Sequence, residues 1–327
     1  MSAHTISRRN VNKIYEDGLW WLKVNGVVED SRNGQVIVAP GPVLSTYHRP
    51  RERVLFSDRR DANPYFHFFE ALWMLGGRQD LKFVADILPR MKEFSDDGVV
   101  LQGAYGHRWK KFWGFDQTHT AIRMLERDPD SRRVVISMWD APTDLELDSR
   151  DLPCNTHLYV TIRQDQLDLT VCCRSNDAIW GAHGANAVHF SFLQEYLACA
   201  LGKMVGKLHQ FSNNYHVYPG MPRFETIWEN PDSPDLYEYG ADMGSGPLLF
   251  QGDVDMFDEE LSMFLDEPYE DTGSGLLSGV AYPMWQSLKY HQRKVQDVAL
   301  DWADKIDAPD WRAACVAWLT RRYGVSQ

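Results

Sequence analysis

Basic charge is in short supply: 34 Lys and Arg stand against 46 Asp and Glu, leaving the 327-residue chain at −12. Long-range attraction to nucleic acid or to an anionic bilayer is excluded as a source of binding. A local cluster of cations could still hold a small anion. Long apolar runs are missing too, and nothing approaches the roughly 18 residues that a spanning helix needs. The first ten residues have no apolar core and do not read as a secretory signal. Cysteine is sparse and odd in number, at five, with no metal-ligand spacing. A disulfide framework and a metal centre are not expected, whereas reduced thiols in a cytoplasmic protein are. Repeats and low-complexity tracts are absent. What remains is 44% hydrophobic and 24% charged, ordinary values for a chain that folds as one large or two smaller domains.

The region 63–75 reads as a helix, with Asn63 at the N-cap, Pro64 first and Gly76-Gly77 as the stop. Phe66, Phe69, Leu72, Trp73 and Leu75 give it an apolar face. Glu70 sits among them, so it is either on a narrow solvent-facing stripe or held for a purpose. Residues 134–139 form a short strand candidate after the polar turn Asp130-Ser131-Arg132-Arg133. The clearest β signal is a hairpin: Leu158, Val160 and Ile162 alternate, Gln164-Asp165-Gln166 break the pattern, and Leu167, Leu169 and Val171 resume it. Cys154 precedes the first strand and Arg174-Ser175-Asn176-Asp177 follows the second, so the two clusters can meet at one end. A buried helix is expected over 187–201, entered by a flexible loop 181–186 with Asn186 near the N-cap. A strand is expected over 207–218 and an exposed acidic excursion over 230–253. Helices follow over 256–265, 283–305 and 309–323. The whole reads as α+β, with a catalytic domain over 1–255 and a helical extension over 256–327 packed on it.

Cys154, at a strand start with arginines nearby, is a candidate nucleophile, since positive charge favours the thiolate. A small buried thiol is the plainer alternative. Arg132, Arg133, Arg174 and Ser175 offer the guanidinium forks and hydroxyl that a phosphate requires. Asp177 and Asn186 could read the polar edge of a ring. His216 and Tyr218, two apart on a strand, share a face.

Taken together these residues resemble the thymidylate synthase superfamily over about 30–218. The resemblance rests on Leu152-Pro153-Cys154, Arg174-Ser175-Asn176-Asp177, Asn186 leading a helix, and His216-Val217-Tyr218. Upstream, Arg132-Arg133 match paired arginines, Tyr105-Gly106-His107-Arg108-Trp109 a Tyr-Gly-x-x-Trp segment, Glu70 a helix glutamate, and Arg32 a phosphate-loop arginine. It implies a mixed sheet packed with helices. It also implies that Cys154 adds to C6 of a pyrimidine nucleoside monophosphate, so that C5 attacks the one-carbon unit of 5,10-methylenetetrahydrofolate. Glu70 would organise water and protons, and Tyr105 would assist proton removal. Arg32, Arg174 and Ser175 would hold phosphate, and Arg132 and Arg133 would reach the other subunit of a homodimer. His216 and Tyr218 would bind the sugar, Asn186 the base and Asp177 the folate. No metal is implied.

The methylating branch closes its site with an apolar C-terminal tail, which nothing here resembles, and carries a tryptophan segment that is unrecognisable in 81–91. A site that admits water would give a hydroxymethyl product. The resemblance therefore points to the CMP/dCMP hydroxymethylases, with dCMP the expected substrate and CMP and dUMP open. One residue more than in either branch separates Gly181 from Asn186, and an amide at 186 suits cytosine or uracil. A thymidylate synthase acting on dUMP, a catalytically silent nucleotide-binding relative and an enzyme acting on a nucleic acid polymer are the alternatives; charge disfavours the last.

Overall fold

The computed structural model describes residues 3–31, 34–239 and 246–324. Arg32 lies outside them, as do the last three residues of the chain.

Among the described residues ten strands build two sheets. The first, six-stranded, runs in the order β1 (His4–Arg8), β4 (Val43–Tyr47), β9 (Met204–Ser212), β7 (Gln166–Cys173), β6 (Asn155–Arg163), β5 (Val135–Ser137). Its β1/β4 and β7/β9 pairs are parallel and the others antiparallel. The second orders β2 (Val27–Ser31), β3 (Gly34–Val38), β10 (Tyr215–Val217) and β8 (Asn176–Asp177). The expected hairpin is β6/β7. Its turn uses Gln164 at φ 50° and Asp165 at φ 63°, the left-handed pair that matches the twist of tightly joined strands.

The helices are α1 (Val11–Asn25), α2 (Pro64–Leu75), α3 (Leu81–Ile87), α4 (Tyr105–Lys110), α5 (Gln117–Arg127), α6 (Ala141–Asp144), α7 (Asn186–Ala200), α8 (Phe224–Glu229), α9 (Leu236–Tyr239), α10 (Val254–Asp266), α11 (Tyr282–Gln292), α12 (Gln296–Asp304) and α13 (Pro309–Tyr323). The Asn63 side chain accepts from the Phe66 amide and caps α2 as expected. All twelve residues of α2 are buried, because α4, α7, α10, α11 and α13 each touch it. Phe68 makes edge-on contacts with Phe192 of α7 at 5.6 Å and Trp311 of α13 at 5.0 Å. Glu70 therefore has no solvent-facing stripe to occupy, and is only 7% exposed.

Four local expectations need correction. The strand over 207–218 is two strands in different sheets, since the chain turns at Asn213 and Asn214 to pair with Cys173 and Asn176. The flexible loop before α7 is a wide π-type turn, Ala178–Ala185, kinked at Gly184 and continuous with α7, so Asn186 is not an N-cap. Such turns absorb an inserted residue without breaking a helix. The segment 230–253 is not simply exposed: Asp235, Tyr237, Leu249 and Phe250 are buried, and Asp235 accepts from Asn10. Residues 240–245 of it lie outside the described set. The helix over 283–305 is broken between α11 and α12 by Lys294 at φ 64°.

Candidate active site

Cys154 stands at the open end of the β6/β7 hairpin. The Arg174 amide donates to the Cys154 carbonyl at 2.9 Å, extending the ladder by one bond. Thr156 is an extra residue in β6, a bulge that bends the strand beside the thiol. Arg174 folds back along the same segment. Its Nε donates to the Pro153 carbonyl at 3.0 Å and Nη2 to that of Leu152 at 3.3 Å, and its guanidinium lies 5.2 Å from the Trp139 ring centre. Nη1 has no hydrogen-bond partner among the described residues, nor has the Ser175 hydroxyl. An arginine held by two carbonyls with a free N–H is prepared for an anion.

The thiol itself departs from expectation. Burial pushes Cys154 above its ordinary value, and Asp151 and Asp177 push the same way; Arg174 and a hydrogen bond from Tyr105 only partly oppose them. Burial thus outweighs the guanidinium in the free protein.

Tyr105 opens α4, and two features fix it there. Gly106 touches α2 so closely that a Cβ would fall 1.8 Å from the Met74 carbonyl oxygen. One turn on, buried Arg108 forms a two-pronged pair with buried Asp144 at 2.8 and 2.9 Å. The Tyr105 ring stacks on Phe190 at 5.9 Å and meets His189 edge-on at 6.3 Å. His189 Nε2 in turn lies 2.9 Å from Glu70 Oε2. Burial holds the Tyr105 phenol well above its usual range, and Cys154, Cys173, Asp151 and Glu70 add to the effect. Cys154, Tyr105, Glu70 and Arg174 therefore form one cluster, in which Tyr105 interacts with Cys154 and Glu70, and Arg174 with Cys154.

Asp177 interacts with Cys154 across the cluster, and Asn186, which bonds to the neighbouring Asn176, has a fixed orientation. Gln210 Nε2 faces the Ala182 carbonyl at 3.1 Å, and a carbonyl only accepts. Gln210 Oε1 must then accept from Asn176 Nδ2, at 3.3 Å. That turns Asn176 Oδ1 towards Asn186 Nδ2, at 3.1 Å, so the Asn186 amide cannot flip without breaking the chain. Behind it His183 is buried between Tyr47 (2.8 Å) and Tyr215 (2.7 Å), and desolvation lowers its pKa to about 3, so it stays neutral. Tyr47 also donates to the Ala182 carbonyl, and this network pins the π-type turn.

Asp177 Oδ1 accepts from the Ile179 and Trp180 amides, both at 2.7 Å, while Oδ2 accepts nothing among the described residues. His216 is opposite Asp177 in the β8/β10 ladder. Its Nδ1 donates to the Asn214 carbonyl at 3.3 Å, and Nε2 has no hydrogen-bond partner among the described residues. Tyr218 packs edge-on against it at 5.0 Å. Arg132 and Arg133 do not join this group: both are exposed just before edge strand β5, without an ion-pair partner among the described residues.

Several contributors were not legible beforehand. His189, the Glu70 partner, follows Asn186 by three residues on α7, a spacing that places it on the same helix face. Asn176 and Gln210 act through partners remote in sequence. Asp151, three residues before Cys154, carried the one available signal, a carboxylate beside a candidate thiol. Asp116, His119 and Asp258 come close enough for a metal. The Lys110 ammonium already donates to Asp258, and its charge fills the role a cation would have.

A mixed sheet that brings together a thiol, a phenol, a carboxylate and a part-free arginine suits covalent chemistry on a small anion. The thymidylate synthase family model matches residues 55–240, more than half of the chain, and the chain belongs to that family. It is 42% identical over 97% of its length to a deoxyuridylate hydroxymethyltransferase of Pseudomonas phage M6, covering 94% of that protein. It is 35% identical to one of Bacillus phage SP01 over 66% of this chain and 59% of the relative. A thymidylate synthase of Streptococcus mutans is 26% identical over 66% of this chain and 78% of its own. Among solved structures, thymidylate synthase from T4 phage superposes with a TM-score of 0.55 at 22% identity, over 66% of this chain and 79% of that one, a likeness of fold. The family's chemistry is folate-dependent one-carbon transfer to a pyrimidine nucleotide. No described helix is long and apolar enough to cross a membrane.

Proposed function

We propose that this protein is a dUMP 5-hydroxymethyltransferase. The observation that carries the reading is similarity across 97% of the chain, C-terminal helices included, to a protein named for that activity. The expectation of dCMP gives way to dUMP, because the relatives of Pseudomonas phage M6 and Bacillus phage SP01 are both named for deoxyuridylate. The locked Asn186 amide is compatible with this base: its Oδ1 and remaining N–H complement the N3–H and O4 of uracil.

The residues divide the work as follows. Arg174 and Ser175, with Arg32, hold the phosphate; His216 and Tyr218 hold the sugar. Cys154 sulfur bonds to C6, and C5 becomes a nucleophile. Tyr105 assists removal of the C5 proton, and Glu70, oriented by His189, relays protons. When bound, 5,10-methylenetetrahydrofolate supplies a carbon at the oxidation level of formaldehyde. The free Asp177 Oδ2 fits the N–H-rich edge of its pterin, and Trp180 offers a partly exposed ring beside it. The protein works as a homodimer in which Arg132 and Arg133 complete the partner's phosphate site. Residues 256–327 act as a helical extension of the 1–255 unit.

The test is incubation with methylenetetrahydrofolate and each of CMP, dCMP, UMP and dUMP, followed by product mass. A gain of CH2O on dUMP is expected. A gain of CH2 with dihydrofolate formation, or turnover of dCMP in preference to dUMP, contradicts the reading.

A further inference from the structure

Conversion of the C5 methylene into a hydroxymethyl group requires a water molecule and a base to take its proton. Glu70 is committed to His189 through Oε2. A second carboxylate, Asp151, stands close enough to Glu70, Cys154 and Tyr105 to interact with all three. Asp151 belongs to the segment that leads into Cys154, and it is half-buried. Its Oδ2 accepts from the Gly103 amide at 2.8 Å, and its own amide donates to Ser149 Oγ at 3.1 Å. Oδ1 accepts no hydrogen bond from the described residues. Gly103 is what admits the carboxylate, since a Cβ there would lie 2.7 Å from Oδ1. That backbone leads directly into Tyr105. Asp151 is thus held rigidly between the thiol segment and the phenol segment, with one oxygen free.

We infer that Asp151 is the general base that deprotonates the water adding to the C5 methylene. The inference rests on the hydroxymethyl reading above. In the step, the water oxygen bonds to the exocyclic methylene carbon and its proton passes to Asp151 Oδ1. The methylene π pair moves through C5 to the C4 oxygen. The enolate then re-forms the C4 carbonyl and the C5–C6 double bond, expelling Cys154 as thiolate, which recovers a proton from Asp151. No oxidant or reductant is consumed.

The electrostatic surroundings agree. Burial raises the Asp151 pKa to about 6; the Gly103 amide lowers it, Glu70 and Asp96 raise it, and Arg108 lowers it. Cys154 and Tyr105 both respond to its charge. The group is mostly a carboxylate at neutral pH, yet basic enough to accept a proton.

Asp151→Asn and Asp151→Glu in the full chain, assayed with C5-tritiated dUMP, separate this step from those before it. In Asp151→Asn, dUMP affinity and tritium release should stay within about threefold of wild type, while hydroxymethyl product falls by about a hundredfold or more. A small added thiol should then be captured in place of water, and Asp151→Glu should restore part of the product. In wild type the ratio of product to tritium released should rise with pH through about 6, a limb that Asp151→Asn lacks. Infrared difference spectra of the free proteins should show one carboxyl fewer titrating near that pH in Asp151→Asn than in wild type, the buried Asp310 supplying the signal that remains. Parallel loss of tritium release and product in Asp151→Asn, or undiminished product, overturns the inference. If Asp151→Asn fails to bind dUMP, a pH-independent ratio in wild type overturns it instead. Wild type yielding a CH2 product defeats the hydroxymethyl reading; wild type yielding CH2O with Asp151→Asn equally active defeats only the role of Asp151.

Discussion

Cys154 is a thiol whose surroundings withhold its charge in the free protein. Burial raises it, and Arg174 does not compensate. The free protein should therefore react with iodoacetamide more slowly at pH 7 than a model thiol, and its rate should still be climbing with pH where a model thiol has levelled off; mass mapping of the Cys154 peptide reads it out. Rapid labelling at neutral pH would mean a thiolate ground state. Cys154→Ala should abolish turnover and retain nucleotide binding. At this scale the candidate site residues Cys154, Glu70, Tyr105, Arg174 and Asp177 were legible, because they stand in recognisable strings. Their orienting partners were not. His189, Asn176 and Gln210 matter only through hydrogen bonds to remote positions, and no local pattern announces a bond from Gln210 to Asn176 across 34 residues.

Elements were legible where local chemistry decides them. The β6/β7 hairpin follows from alternation and a turn, and α2 from its cap, Pro64 and Gly76. The π-type turn and the β9–β10 break are instead imposed by tertiary bonds, from His183 in one case and from pairing to Asn176 in the other. Helix α10 is tied to α5 and α7 by polar contacts that titrate. Its Asp258 accepts from Lys110, His119 (3.0 Å) and Tyr196 (3.1 Å). The Asp258 hydrogen bond raises His119 above its ordinary value near 6.5, against some desolvation. A raised folded-state pKa contributes stability that is complete below the unfolded value and lost as pH rises through the folded one. Wild type should therefore exceed His119→Gln in Tm most at about pH 6, and the gap should close towards about pH 9. A gap that is constant or widens with pH would contradict this linkage.

For the molecule as a whole, −12 describes the surface and not the cleft. Arg321 and Arg322 of α13 are spent on Asp58 and Asp61, so they tie the last helix to the loop before α2. Arg132 and Arg133 remain exposed beside the edge of the larger sheet. If they serve a partner's site, Cys154→Ala and Arg133→Ala, each weak or inactive alone, should regain activity when refolded together, since one mixed dimer site then holds both wild-type residues. No recovery would leave the site within one chain. The most direct test of the account is the origin of the product oxygen. With dUMP and methylenetetrahydrofolate in heavy-oxygen water, the account predicts 5-hydroxymethyl-dUMP carrying one heavy oxygen in the new hydroxymethyl group. A methylated product without new oxygen, accompanied by dihydrofolate, would contradict it.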